Sequence, residues 1–119
     1  PFYLPTMDGD KPQVRPFGAL CEFEDKLYLI TTNEKAVYRQ MKQNPNVAIC
    51  GMHEDKWIRI SGQVEEDTRR EARVAMMEAN KEVLSKMYSV DDQLMTVFRF
   101  INGQGTIYSF TAEPVTYSL

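Results

Sequence analysis

One histidine and two cysteines in 119 residues leave this sequence short of the side chains that build most catalytic centres. The lone His53 lies in a polar stretch, His53-Glu54-Asp55-Lys56, with no partner at the spacing of a metal site or a catalytic triad, and reads as a solvated turn residue. Cys21 and Cys50 are far apart and in no CxxC pattern, so no disulfide framework is implied and two thiols in a reducing compartment are expected. The adjacent carboxylates Asp91 and Asp92 do not face one another and read as a helix-end turn. Neither a GxGxxG nor a GxxxxGKS/T segment occurs, which disfavours a dinucleotide fold and a P-loop. No apolar run approaches the ~20 residues needed to cross a bilayer. No signal-peptide pattern is visible, so a cytoplasmic location is expected. The net charge of −3 supplies no basic excess, and neither nucleic acid nor an anionic membrane is an expected partner. The sequence starts at Pro1 rather than Met, which leaves room for an N-terminal helix ahead of it.

A hydrophobic fraction of 43% with 26% charged residues fits one globular domain over residues 1–119. A core of that size is modest, and a dimer interface would add to it. Phe2 to Leu4 is apolar. Thr6 to Pro12 reads as a turn, within which Asp8-Gly9-Asp10 carries hairpin chemistry, because glycine and aspartate tolerate positive φ. Gln13 to Phe23 and Leu27 to Thr31 have β character on either side of Glu24-Asp25-Lys26, so a three-strand meander is expected over the first thirty residues. Asn33 is placed to cap a helix over about Glu34 to Gln43, and Pro45 stops it. Val47 to Met52 and Trp57 to Glu65 read as strands, the second with Ile58, Ile60 and Val64 on one face and Trp57, Arg59 and Ser61 on the other. Asp67 is placed to cap a helical stretch to about Met87, with Ala72, Ala75, Met76, Ala79, Val83 and Met87 on one face and a possible break at Asn80. Met95 to Phe100 and Thr106 to Phe110 are expected as two strands around an Asn102-Gly103 turn, with a short strand from Val115 to Leu119. The expected architecture is mainly β, a six- or seven-stranded antiparallel barrel with two or three helices.

A protein without catalytic side chains of its own can act through a cofactor. Two segments point to a place for one. In Val14-Arg15-Pro16-Phe17-Gly18 an arginine stands mid-strand, where it needs an anion or an acidic neighbour, and Pro16 marks an edge or a bulge. In Thr31-Thr32-Asn33-Glu34-Lys35 a strand passes into a helix, so hydroxyls, an amide, free backbone N–H groups and a lysine gather at a helix N-terminus, a setting suited to a phosphate. Capping alone would also explain Thr32 and Asn33.

Taken in order, QVRPFGAL, LYLITTNEKAVYRQMKQNPNVAICG and KWIRISGQVEE resemble the FMN-binding split barrels of the pyridoxamine 5'-phosphate oxidase-like family, closest to its nitroimidazole-resistance and general-stress branches. MYSVDD (Met87 to Asp92) and GTIYSF (Gly105 to Phe110) extend the resemblance over nearly the whole chain. It implies that Arg15 and Lys35 bind the FMN phosphate, that Thr32 and Asn33 donate to the phosphate or ribityl chain, and that Pro16 and Phe17 wall the isoalloxazine ring. Thr31 would lie near the ring edge. Trp57 would contact the flavin or gate substrate, and Arg59 is a weaker candidate. A homodimer with the flavin site at the subunit interface is implied, and Phe98, Phe100, Tyr108 and Phe110 are candidates to line that interface or to be strand core. Two departures stand out. Glu34 precedes Lys35 where the family's oxidases carry an arginine, and TAEPVTYSL (residues 111–119) holds neither arginine nor histidine, so pyridoxamine phosphate oxidation is not expected. The implied function is an FMN-dependent oxidoreductase acting on an unknown small molecule, with nitro-compound reduction one candidate. The alternative is a non-catalytic protein holding flavin or another cofactor on the same barrel.

Overall fold

Apolar and polar residues alternate along most of the chain and are cut by tight turns, and the backbone answers as antiparallel strands. A computed structural model describes residues 2–119; Pro1, and the helix expected ahead of it, lie outside the described residues. In chain order the elements are β1 (Phe2–Asp8), β2 (Lys11–Phe17), β3 (Leu20–Phe23), β4 (Lys26–Thr32), α1 (Ala36–Gln43), β5 (Asn46–His53), β6 (Lys56–Asp67), α2 (Arg70–Ala79), α3 (Lys81–Leu84), β7 (Met95–Ser109) and β8 (Val115–Ser118). The strands form one open sheet in the order β2-β1-β5-β6-β7-β4-β3, with β8 paired to β7. This is the expected antiparallel split barrel, with eight strands rather than six or seven, the run Gln13 to Phe23 being split in two.

Three hairpins rest on residues with positive φ: Gly9 (61°) between β1 and β2, Glu24 (51°) and Asp25 (63°) between β3 and β4, and Glu54 (58°) between β5 and β6. Left-handed backbone at the loop matches the twist of the flanking strands. The run Gln13 to Phe23 breaks at Gly18-Ala19 into β2 and β3, which lie at opposite edges of the sheet, so the expected three-strand meander is instead two separate hairpins, β1-β2 and β3-β4.

The expected turn at Asn102-Gly103 is absent, and β7 runs through it as one strand of 15 residues. A β-bulge takes its place. Gln63 pairs with Asn102 and Val64 with Phe100, which leaves Ile101 as the extra residue. Asn102 Oδ1 accepts from the Gln63 backbone N–H at 2.9 Å, and Asn102 Nδ2 donates to Gln63 Oε1 at 3.1 Å. Gly62 faces Gly103 so closely that a Cβ on Gly62 would stand 2.2 Å from the Asn102 carbonyl oxygen. The turn signal loses because β6 pairs with β7 on both sides of it, and the facing glycines let the two backbones approach closely at the bulge.

Two apolar layers sandwich β4 and the first half of β7. On one face, α1 lays Val37 and Met41 against Leu4, Leu29, Ile49, Phe98 and Phe100. On the other, α2 and α3 lay Ala72, Met76 and Leu84 against Cys21, Tyr28, Ile30 and Val97. Burial on both faces explains why β4 reads as a near-continuous apolar run. Phe98 (0% exposed) and Phe100 (1%) are therefore core and cannot line a subunit interface, whereas Phe110 is 81% exposed. The helical stretch from Asp67 begins only at Arg70, because Asp67 is still in β6, and Asn80 breaks it with φ −133° and ψ 34°. That break shifts the helical phase. Leu84 turns into the core, and Val83 and Met87, expected on the buried face, are each 60% exposed.

Candidate functional site

The end of β2 and the end of β4 converge beside the start of α1, and the residues between them line a cleft of about 220 Å³. Arg15, Pro16, Phe17, Thr31 and Lys35, all singled out from the sequence, meet there. Ala19, Ile30, Val37 and Leu84 make its floor and walls apolar, and Val83, Met87 and Tyr88 close the side formed by α3 and the segment after it. Among the residues lining the cleft there is no Asp, Glu, His or Cys.

Arg15 has no carboxylate partner among the described residues. Its guanidinium is held by neutral acceptors instead: Nη1 donates to Thr6 Oγ1 at 2.6 Å and to the Leu4 carbonyl at 3.1 Å, and Nη2 donates to Gln40 Oε1 at 2.9 Å. Partial burial draws its pKa down from the ordinary arginine value, as expected of a cation with no anion beside it. Arginine remains protonated in proteins, so the cleft keeps a full positive charge. Lys35 is exposed at the cleft and likewise forms no ion pair among the described residues.

Helix α1 starts two residues later than the sequence suggested. Its N-cap is Lys35, no side chain caps it, and no acidic residue lies in its first turn. Asn33 is drawn away from the capping role: its side-chain amide donates to the Gln93 carbonyl at 2.8 Å, and its backbone N–H to the Leu94 carbonyl at 3.0 Å. The Thr32 carbonyl accepts from the Lys35 N–H at 3.2 Å, which closes the turn ahead of the helix. The first N–H groups of α1 are thus left without a side-chain acceptor, at the positive end of the helix dipole.

Thr32 and Asn33 do not line this cleft. Thr32 is buried, and Asn33 borders a separate polar hollow with Glu66, Asp67 and Arg73. Trp57 also lies apart, on the outer face of β6, where its ring stacks on Tyr108 with centroids 4.1 Å apart and planes 14° from parallel. Arg59 shares that face and donates from Nη2 to the Tyr108 hydroxyl at 2.6 Å. Reading the sequence missed Thr6 and Gln40, which hold Arg15. Gln40 left a signal, since it shares the buried face of α1 with Val37 and Met41 where an apolar residue is the norm.

The family model for pyridoxamine 5'-phosphate oxidase matches residues 2–109. A NimC/NimA family protein from Clostridium acetobutylicum is 50% identical, with a TM-score of 0.95 over 99% of this chain and 82% of that one. An FMN-binding protein related to pyridoxamine 5'-phosphate oxidase, from Nostoc punctiforme, shares the fold at 15% identity, with a TM-score of 0.66 over 99% of this chain and 85% of that one. A heme-binding protein from Mycobacterium smegmatis does so at 15% identity, with a TM-score of 0.76 over 98% of this chain and 52% of that one. No curated protein matches the sequence.

Proposed function

The chain belongs to the pyridoxamine 5'-phosphate oxidase family, and on that premise we propose that it is an FMN-binding flavoprotein that passes electrons from the flavin to a small molecule. The observation that carries the reading is the pairing of two cations without carboxylate partners, Arg15 and Lys35, with an uncapped helix N-terminus at one apolar cleft. A phosphate on an aromatic ligand fits that donor set. Arg15, Lys35 and the first N–H groups of α1 take the phosphate, while Phe17, Pro16 and Ile30 offer the apolar surface a flat ring needs. Thr31 lines the same cleft. Thr32 and Asn33 act from outside the cleft, through the turn that sets Lys35 and α1. When bound, FMN supplies hydride and electron transfer, which this chain's side chains cannot.

The cleft volume, about 220 Å³, falls below the roughly 300–1,000 Å³ usual for small-molecule sites. A ligand the size of FMN stays partly uncovered by one chain, which favours a twofold dimer with the flavin at the subunit interface. Trp57, remote from the cleft of its own chain, then belongs to the flavin site of the other. With no Asp, Glu, His or Cys lining the cleft and Lys35 taken up by the phosphate, Tyr88 and solvent are left as proton sources, which suits an acceptor that asks little of the protein, such as a nitro compound. The same scarcity is what a non-catalytic cofactor carrier would have, and steady-state turnover of a nitro acceptor by the reduced flavoprotein separates the two.

The binding claim is tested by Arg15→Ala combined with Lys35→Ala. Charge-assisted hydrogen bonds contribute roughly 1.5–3 kcal/mol each, so FMN affinity should fall by several kcal/mol in a variant that keeps its fold. Unchanged affinity in that folded variant would remove both residues from the phosphate site.

A further inference from the structure

Two buried polar side chains lie close to the apolar core beside α1: Thr6 on β1, 2% exposed, and Gln40 on α1, 8% exposed. Burying a hydroxyl or an amide is unfavourable unless it is hydrogen-bonded. Both are committed to Arg15. Thr6 Oγ1 accepts from Nη1 and donates to Gln40 Oε1 at 2.6 Å, and Gln40 Oε1 also accepts from Nη2. A guanidinium carries five N–H donors, two on each Nη and one on Nε. Thr6, Gln40 and the Leu4 carbonyl use three of them. Because Thr6 Oγ1 and Gln40 Oε1 are bonded to one another and to different Nη atoms, they face the edge between those two atoms. The donors left are one on Nη2 and the one on Nε, the parallel pair on the side edge of the guanidinium. That pair grips a phosphate or carboxylate with two bonds at once. All three acceptors are neutral, so the charge is fixed in place without being cancelled.

We infer that Thr6 and Gln40 are positioning residues for anion recognition, locking one edge of Arg15 so that its Nε–Nη2 edge is presented ready-made to a single oxyanion in the cleft. The inference rests on the FMN reading above for the identity of that oxyanion, the FMN phosphate. Thr6 works as a link, accepting a hydrogen bond from Arg15 and donating one to Gln40. Preorganisation of this kind raises affinity by removing the entropy of ordering a long side chain on binding.

The test compares dissociation constants for FMN and riboflavin, which share ring and ribityl chain and differ in the phosphate. It uses the full chain and its Thr6→Val, Gln40→Leu and Thr6→Ser variants. The wild-type protein should prefer FMN. Thr6→Val and Gln40→Leu should each reduce that preference about tenfold while leaving riboflavin binding in place, and Thr6→Ser, which keeps the hydroxyl, should retain it. Gln40→Glu preserves the side-chain size, places a carboxylate against the guanidinium and should also lower the preference, which covers the case of a Gln40→Leu chain that does not fold. Equal loss of both ligands, or of neither, in these variants would overturn the positioning role while the wild-type preference for FMN still stood. A wild-type protein with no preference for FMN would overturn the phosphate reading itself, and the inference with it.

Discussion

Gly62 shows how one residue can fix the path of two strands. A Cβ there would meet the Asn102 carbonyl oxygen at 2.2 Å and Gly103 Cα at 2.7 Å, both backbone atoms that cannot swing away. Gly62→Ala should therefore destabilise the fold by about 1–3 kcal/mol, the usual penalty of overpacking, read as a lower denaturation midpoint at unchanged slope. A midpoint equal to wild type would mean that β6 and β7 do not approach as closely as described. At this scale the site was partly legible. Arg15 and Lys35 announced themselves as cations beside a strand edge and a helix start, and the cleft brings them together. Thr6 and Gln40 did not: Thr6 falls where the sequence suggests a turn and is instead buried in β1, and a glutamine in a helix is unremarkable until its burial is known. Asn33 misled for a related reason: the capping preference of asparagine is weaker than its two hydrogen bonds to the segment before β7.

The junction of β6 and α2 turns on Asp67. Its side chain is 4% exposed, accepts from the Tyr28 hydroxyl at 2.7 Å and from the Arg69 guanidinium at 2.9 Å, and takes the Arg69 backbone N–H at 3.1 Å. Arg69 bridges onward to Glu24 beyond β3. These bonds, those from Arg69 first and the Tyr28 hydroxyl next, hold the Asp67 carboxyl well below the usual carboxylate range, against the opposing effect of burial. The stabilisation they bring is complete above the ordinary aspartate pKa of about 3.9 and is lost as the pH falls below it toward the folded-state value. Asp67→Asn should cost about 2–3 kcal/mol at pH 7, discounted because Arg69 is 40% exposed, and should flatten the acid side of the stability profile. A variant with the same acid slope as wild type would contradict this role. Most elements were legible, since period-two and helical patterns mark them directly. What the sequence hid were competitions between neighbours. The Asn102-Gly103 turn yielded to the long partner strand β6, and the helix after Asp67 lost its phase at Asn80, so Val83 and Met87 went to the rim of the cleft rather than into the core.

For the whole molecule, the order of strands, helix and strands implied an antiparallel barrel, and the open eight-stranded sheet bears that out. The barrel alone says nothing of assembly. The small volume of the cleft argues for it, and light scattering should find twice the 13.8 kDa chain mass at micromolar concentration, more resistant to dilution with FMN present because a ligand held between subunits stabilises their association. A monomer that binds FMN tightly would mean that one chain completes the site. Arg15, Lys35 and the uncapped start of α1 together make the proposed flavin phosphate site. Its most direct test is titration of the purified wild-type chain with FMN, followed by flavin fluorescence and visible absorbance. Saturation near one FMN per chain is the predicted result, and a folded protein that leaves FMN free in solution would contradict it.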